Sequence, residues 1–110
     1  VEKQKKKYDA VLLDDDFLIE ASWKMASEAK NKTMIYFSAP ASFFKKAQDI
    51  DFETPIYVDS NLGNGIIGEE VSKEMFEMGF RNIWICTGYQ ASDFPPMPWI
   101  RGIVPKDPIF

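Results

Sequence analysis

The chain has 110 residues, the size of one domain, with 45% hydrophobic and 27% charged residues, a composition typical of globular proteins rather than disordered ones. The formal net charge of −4 gives no reason to expect binding to nucleic acid. The sequence contains no histidine, which excludes Ser-His-Asp and Cys-His nucleophiles and most zinc sites.

The amino-terminal half alternates short apolar runs with helical patterns. Residues 9–13, "DAVLL", form a short apolar run that is followed by charged residues, and they predict a buried strand. Residues 16–32 predict a helix with Asp16 as its N-cap. One face of this helix is formed by Leu18, Ser22, Met25 and Ala29. Residues 33–37 predict a second strand, and residues 38–50 predict a short helix that tolerates a proline in its first turn.

The carboxy-terminal half continues the alternation. Residues 54–59 predict a third strand, and the Gly and Asn content of residues 60–65 predicts a loop. A helix follows and ends at Gly79 as its C-terminal cap. Its apolar positions are Ile67, Val71, Met75 and Met78. Residues 81–88 hold a fourth strand, and residues 99–104 predict a fifth. Near-continuously apolar strands that alternate with helices predict a parallel sheet covered on both faces, an α/β fold.

Polar residues follow four of the predicted strands. Three aspartates, at positions 14–16, follow the first strand, Asp59 ends the third, Thr87 follows the fourth, and Lys106 lies near the end of the fifth. Parallel strands end at one edge of a sheet, so these side chains should converge there. Carboxylates suit Mg²⁺, and a lysine with a hydroxyl suits phosphoryl oxygens. The set predicts a carboxylate nucleophile for phosphoryl transfer.

The order of these residues resembles that of response-regulator receiver domains, from Tyr8 onward. The segment "VDSNLGNGIIG" is similar to the acceptor loop of that family, and "CTGY" is similar to its threonine segment. The resemblance implies a flavodoxin-like sheet of five parallel strands in the order 2-1-3-4-5. It also implies a domain that catalyses its own phosphorylation, taking a phosphoryl group from a phosphohistidine on a histidine kinase or phosphotransfer protein, rather than a turnover enzyme.

The resemblance also implies a role for each site residue. Asp59 would be the phosphoacceptor, Thr87 would bond a phosphoryl oxygen, and Lys106 would pair with another oxygen and, before phosphorylation, with Asp59. Tyr89 would restrict the water that later hydrolyses the acyl phosphate. The Mg²⁺ ligands would be Asp14, Asp15, Asp59 and the backbone carbonyl of Asn61, with Asp15 as a direct ligand.

The sequence departs from the receiver pattern in several places. Lys106 is followed by Asp107 rather than by proline, so a trans bond is expected there. Ile103 occupies the position of the usual aromatic switch residue. Three prolines, Pro95, Pro96 and Pro98, predict a loop or single turn in place of the fourth helix. The chain stops at Phe110, so the fifth helix is expected to be absent or truncated.

Without a fifth helix, apolar area should be bare at the flank of strands four and five. The candidate residues are Trp84, Trp99, Ile103, Ile109 and Phe110. Such a patch predicts a homodimer or contact with a neighbouring domain. The alternative is that Phe110 folds back and fills the gap.

The compartment and the domain limits follow from a few further features. A single cysteine, Cys86, fits a reducing compartment, and its apolar neighbours predict a buried, inert thiol. No apolar run approaches the roughly 18 residues of a membrane span, and no signal peptide opens the chain, so we expect a cytoplasmic protein without membrane contact. The lysine-rich segment 1–7 predicts a linker or a frayed start, and residues 8–110 are expected to form the receiver domain.

Three functions remain open from the sequence. The first is a working receiver, either a module of a hybrid histidine kinase or a stand-alone response regulator. The second is a pseudo-receiver that uses the same scaffold only to bind proteins. The third is a haloacid-dehalogenase-like phosphatase, since Asp14 and Asp16 match that family's Asp-x-Asp nucleophile motif. That family needs another acidic motif beyond its lysine, and only four residues follow Lys106.

Overall fold

A computed structural model describes residues 5–110, so residues 1–4 of the predicted linker lie outside the described part. The strands are β1 (Ala10–Leu13), β2 (Met34–Phe37), β3 (Ile56–Asp59), β4 (Ile83–Cys86) and β5 (Gly102–Val104). The helices are α1 (Phe17–Ala29), α2 (Pro40–Lys46) and α3 (Gly68–Met78), with short 3₁₀ turns at Ala47–Asp49 and Ala91–Asp93. The predicted elements are therefore present, with boundaries that differ by a few residues.

The five strands form one parallel sheet in the order β2-β1-β3-β4-β5, which confirms the predicted flavodoxin-like α/β fold. The central strands β1, β3 and β4 are almost entirely buried, because helices cover both faces of a parallel sheet. This burial explains why each of them appears in the sequence as an unbroken apolar run. The parallel arrangement also brings every strand end that carries a polar residue to one edge.

Local signals account for the helix ends. The backbone N–H of Leu18 donates to Asp16 Oδ1 at 2.9 Å, so Asp16 is the N-cap of α1, as predicted. Pro40 lies in the first turn of α2, where its missing N–H costs nothing. Gly79 caps the carboxyl end of α3 with a φ of 128°, as predicted.

The core has one cluster on each face of the sheet. The larger cluster packs Phe43, Ile50, Met75 and Phe80 between the sheet and helices α2 and α3. The smaller cluster is built from Leu12, Trp23 and Cys86 under α1. The predicted apolar face of α1 is wrong as a packing face, because Leu18 and Met25 are 65% and 73% exposed. Instead, α1 packs through Ile19 and Trp23, which lie on another side of the helix.

The carboxy-terminal residues cover part of the face beside α1. The indole N–H of Trp23 donates to the carbonyl oxygen of Lys106 at 2.9 Å, and Ile109 packs against the smaller core cluster. The Phe110 ring lies 5.7 Å from Lys32 Nζ, just beyond the end of α1. The residues predicted to be bare are half-buried rather than exposed, and their contact with another chain or domain stays a prediction: Trp84, Trp99, Ile103, Ile109 and Phe110.

The segment between β4 and β5 and the amino end of the chain were also predicted from the sequence. The segment between β4 and β5 contains a single 3₁₀ turn in place of a fourth helix, as its prolines predicted. At the amino end, backbone hydrogen bonds join Lys6 to residues 49 and 51, and the linker role of residues 1–7 stays a prediction. Within residues 5–110, no helix is long and apolar enough to cross a membrane.

Candidate functional site

Four strand ends deliver their polar side chains to a single pocket. Asp14 follows β1, Asp59 closes β3 and Thr87 follows β4, and all three are at most 3% exposed. Lys106 lies two residues beyond β5 and is partly buried. Asp14, Asp59 and Lys106 contact one another there, and Thr87 follows Cys86, the residue that pairs with Asp59 in the sheet.

Lys106 links the two buried carboxylates. Its ammonium nitrogen lies 3.0 Å from Asp59 Oδ1 and 3.6 Å from Asp14 Oδ2. The backbone on both sides of this side chain is anchored, since Trp23 donates to the Lys106 carbonyl and the Cys86 thiol donates to that of Pro105. The described residues contain no cis peptide bond, so the bond before Asp107 is trans, as expected. Lys106 reaches the pocket without a proline directly after it.

Three carboxylates lie close enough to share a cation. Ligand oxygens of Asp14, Asp15 and Asp59 all lie within 4.8 Å of one another. One of them, Asp14 Oδ2, is buried and accepts no hydrogen bond within the described part of the chain. A buried carboxylate oxygen without a donor is costly, and it is a suitable ligand for a hard divalent cation. The donor set therefore fits Mg²⁺.

Burial perturbs the acid–base behaviour of this pocket. The pKa of Asp14 is raised from 3.8 to about 6, mainly by desolvation and also by the charges of Asp59 and Asp15, while the hydrogen bond from the Asp16 N–H and the charge of Lys106 oppose the rise. Burial lowers the pKa of Lys106, but its hydrogen bond to Asp59 and the charge of Asp14 outweigh that effect, so the pKa is raised overall. Lys106 is therefore an ammonium group at neutral pH.

Replacing Asp14 with asparagine should stabilise the metal-free protein at neutral pH. The folded pKa of Asp14 lies above its ordinary value, so this carboxyl contributes stability below about pH 4 and loses it as the pH rises through about 6. We expect Asp14→Asn to raise the free energy of unfolding by about 1–2 kcal/mol near pH 7. Urea denaturation in EDTA, followed by tryptophan fluorescence at several pH values, measures this gain. A gain that does not shrink toward pH 4 would contradict the prediction.

The loop after Asp59 is held in a defined shape beside the carboxylates. Asn61 donates its backbone N–H to Asp59 Oδ1 at 3.3 Å, and its side-chain oxygen accepts from the N–H of Gly63 at 3.1 Å. Gly63 has a φ of 80°, and a Cβ there would lie 2.9 Å from Asp15 Oδ2. A larger residue at position 63 would therefore displace the Asp15 carboxylate. The metal-ligand role of the Asn61 carbonyl stays a prediction.

The threonine segment lies on the other side of Asp59. The hydroxyl oxygen of Thr87 accepts a hydrogen bond from the backbone N–H of Tyr89 at 3.2 Å. This bond orients the hydroxyl within a turn that begins where β4 ends. The Tyr89 ring is 68% exposed and makes an edge contact with the ring of Phe94.

Two further residues take structural places. The Asp16 carboxylate caps α1 and is exposed, which is not the position of the second acid in an Asp-x-Asp nucleophile pair. Cys86 is fully buried, and desolvation together with the charge of Asp14 raises the pKa of its thiol to about 12. A thiol with that pKa is not a nucleophile at neutral pH.

Neither a protein-family model nor a curated protein matches this chain. Solved structures do. A CheY-like response regulator receiver domain from Methanospirillum hungatei JF-1 has a TM-score of 0.74 and 18% identity, covering 92% of this chain and 82% of the other. The N-terminal domain of a response regulator/sensory box/GGDEF protein from Carboxydothermus hydrogenoformans has a TM-score of 0.74 and 14% identity, with the same coverage. A two-component response regulator from Cytophaga hutchinsonii has a TM-score of 0.65 and 18% identity, covering 96% and 90%.

The chain has the fold of a response-regulator receiver domain. At these identities the likeness concerns the fold, and the pocket itself is described by this chain's own residues. Within the receiver fold, sequence reasoning missed two contacts that shape the pocket: the hydrogen bond from Trp23 to the Lys106 carbonyl, and the close approach of Gly63 to Asp15. Neither had a signal in the sequence, because each joins segments that are distant along the chain.

Proposed function

We propose that this chain is a phosphoacceptor receiver domain of two-component signal transduction. Asp59 would take the phosphoryl group, and Mg²⁺ would be held by Asp14, Asp15, Asp59 and the Asn61 carbonyl. The observation that carries the proposal is the 3.0 Å contact between Lys106 Nζ and Asp59 Oδ1 inside a cluster of three carboxylates. A structural ion pair needs only one acid, whereas Lys106 here faces two, Asp14 and Asp59, and a third carboxylate, Asp15, lies beside them.

The contacts of the two Asp59 carboxylate oxygens indicate which of them would attack the phosphoryl group. Asp59 Oδ1 faces both Lys106 Nζ and the Asn61 N–H, which leaves Oδ2 to attack phosphorus. The new bond joins Oδ2 to phosphorus while the bond from phosphorus to the imidazole nitrogen of the donor breaks in line. Lys106 and the Thr87 hydroxyl would neutralise charge on the phosphoryl oxygens. When bound, Mg²⁺ supplies the positive charge that lets an ionised carboxylate approach an anionic donor.

The proposal is tested with small phosphodonors. We expect the purified protein with Mg²⁺ and acetyl phosphate to gain the mass of one phosphoryl group, located on Asp59 by peptide mapping. We also expect beryllofluoride with Mg²⁺ to change tryptophan fluorescence, since Trp23 bonds to the backbone of Lys106. A protein that ignores Mg²⁺ and both reagents would contradict phosphoacceptance and favour the pseudo-receiver.

Replacing Tyr89 with alanine should shorten the lifetime of the phosphorylated state. The Tyr89 backbone is tied to Thr87, two residues away, and we infer that its ring restricts the water that hydrolyses the acyl phosphate. We expect hydrolysis to accelerate about fivefold, equivalent to roughly 1 kcal/mol of barrier. Loss of the phosphoryl mass with time measures the rate, and Tyr89→Phe serves as the control because it keeps the ring. Equal rates for Tyr89→Ala and wild type would remove this role.

The second candidate function, a protein-interaction module without phosphorylation, is favoured by the surface of α1. Three large apolar side chains on this helix, Phe17, Leu18 and Met25, are each at least 65% exposed. Scattered apolar residues are common on surfaces, whereas a row on one helix indicates a binding surface. A histidine kinase, a phosphotransfer protein or a second copy of the chain could cover it, and light scattering at high concentration tests for the homodimer.

The cellular context is also part of the proposal. We place the domain in the cytoplasm, as a module of a hybrid histidine kinase or as a stand-alone response regulator. The half-buried residues at the flank of β4 and β5 would contact a neighbouring domain or a second copy in either case.

A further inference from the structure

A groove runs beside the acceptor and outside the carboxylate pocket. It encloses about 480 Å³, and its lining residues are Ser60, Glu69, Tyr89, Asp93, Phe94 and Pro95. Ser60 directly follows Asp59, and the Tyr89 backbone bonds to Thr87, so the groove shares a wall with the proposed phosphoryl site. The proposed phosphoryl transfer to Asp59 uses none of the side chains that line it, and of these only Tyr89 has a proposed role, in the later hydrolysis.

Two carboxylates in the groove have no counter-ion among the described residues. Neither Glu69 nor Asp93 forms an ion pair within residues 5–110. Glu69 Oε1 is shielded from solvent and accepts no hydrogen bond from any described residue. The start of α3 favours an acid in its first turn, but a shielded oxygen without a donor is costly. An incoming donor group would remove that cost.

The aromatic side chains of the groove indicate which kind of donor group would bind there. The rings of Tyr89 and Phe94 meet edge to face, with centroids 6.5 Å apart. Aromatic rings combined with carboxylates suit a guanidinium group, which stacks on a ring face and donates to a carboxylate at its edge. A compact ammonium group would gain less from the rings.

The groove continues past Glu69 into a second cavity of about 370 Å³ that shares Ser60 and Glu69 with the first. Its far wall includes Ile66 and Ile67, which are both exposed. This extension gives room for apolar neighbours of a basic side chain. A polypeptide segment fits such a surface better than a small cationic metabolite does.

We propose that this groove binds an arginine side chain of the protein that delivers the phosphoryl group. This inference rests on the proposed function, because a group bound beside Asp59 would be carried by the phosphodonor. The arginine offsets the repulsion between the two groove carboxylates and the incoming phosphoryl group. The groove thereby selects donor proteins that carry a guanidinium next to the phosphohistidine.

Binding is tested with N-ethylguanidinium as the probe and uncharged N-ethylurea as its isostere. Both are titrated into ¹⁵N-labelled protein saturated with Mg²⁺, so that the cation does not simply enter the carboxylate pocket. We expect amide shifts for Glu69, Tyr89 and Asp93 with N-ethylguanidinium only. Glu69→Gln and Asp93→Asn should each weaken binding about twofold to fivefold. The charge-matched control Glu70→Gln, one residue away and outside the groove, should leave binding unchanged.

Phosphorylation by acetyl phosphate supplies a second readout. Acetyl phosphate is an anion without a guanidinium, so the double variant Glu69→Gln/Asp93→Asn should react faster than wild type, up to about twofold at low salt. Asparagine at position 93 can still accept the hydrogen bond that Asp93 accepts from Gln90, which preserves the local turn. A slower double variant would overturn the inference, since the groove carboxylates would then assist the reaction directly.

The possible failures can be told apart. Equal shifts with N-ethylurea, or undiminished guanidinium binding by the double variant, would overturn the groove assignment while wild-type phosphorylation still supports the proposed function. A wild-type protein that binds N-ethylguanidinium in the groove but accepts no phosphoryl group would overturn the proposed function, and with it the assignment of the groove to a phosphodonor.

Discussion

Replacing Asp59 with asparagine is expected to abolish phosphorylation by acetyl phosphate while leaving the fold intact. The amide has the shape of the carboxylate but lacks the nucleophilic oxygen, and it removes one of the two acids that face Lys106. We expect no gain of phosphoryl mass in Asp59→Asn under conditions that modify wild type fully. Intact-protein mass spectrometry measures this, and circular dichroism verifies the fold.

A matched control separates the receiver from the phosphatase. Asp16→Asn removes a carboxylate from the same cluster in the sequence, but asparagine caps a helix as well as aspartate does. We expect Asp16→Asn to be phosphorylated like wild type. A loss of phosphorylation in Asp16→Asn, together with a phosphoryl group on Asp14, would instead indicate an Asp-x-Asp nucleophile pair. Normal phosphorylation of Asp59→Asn would remove Asp59 as the acceptor.

The sheet and the strand-end residues could be predicted because their signals are local. Each central strand is an unbroken apolar run, and Asp14, Asp59 and Thr87 stand directly at the ends of such runs. Parallel topology then requires them to lie at the same edge, whatever the details of packing. The spacing also predicted Lys106 as a site residue. Its orientation depends on hydrogen bonds from Trp23 and Cys86 to the backbone around it, which no local sequence pattern indicates.

The packing face of α1 could not be predicted, because the helix has apolar residues on two sides. One side carries Leu18 and Met25, and the other carries Ile19 and Trp23. Only the tertiary structure decides between them: Trp23 enters the smaller core cluster and reaches the Lys106 carbonyl. The groove beside Asp59 could not be predicted either, since it joins Glu69 to a loop that begins twenty residues further along the chain.

The close approach of Gly68 to the end of β3 is also a tertiary contact that the sequence does not reveal. Replacing Gly68 should have the largest effect on stability. A Cβ at position 68 would lie 1.9 Å from the carbonyl oxygen of Asp59 and 3.0 Å from the Cα of Ser60. Both contacts are to backbone, so no rotation of a side chain can relieve them. The backbone N–H of Gly68 also donates to the Ser60 carbonyl at 2.8 Å, which holds the start of α3 against the end of β3.

We expect Gly68→Ala to lower the free energy of unfolding by about 3 kcal/mol or more, because this overpacking displaces backbone. For a domain of this size that corresponds to a melting temperature lower by about 10–20 °C. Urea and thermal denaturation measure the change. The matched control is Gly88→Ala, since a Cβ there would meet no atom within 4 Å. Equal stability of the two variants would contradict the prediction.

The same substitution should also disturb the proposed chemistry, because the atom that a Cβ would strike belongs to the backbone of Asp59 itself. Relieving the clash must move either α3 or the end of β3, and the second movement carries the Asp59 carboxylate away from Lys106. At a temperature where Gly68→Ala remains folded, we therefore expect acetyl phosphate to modify it about tenfold or more slowly than wild type. If Gly68→Ala is phosphorylated as fast as wild type, then α3 moves rather than β3, and the position of Asp59 is set by its strand alone.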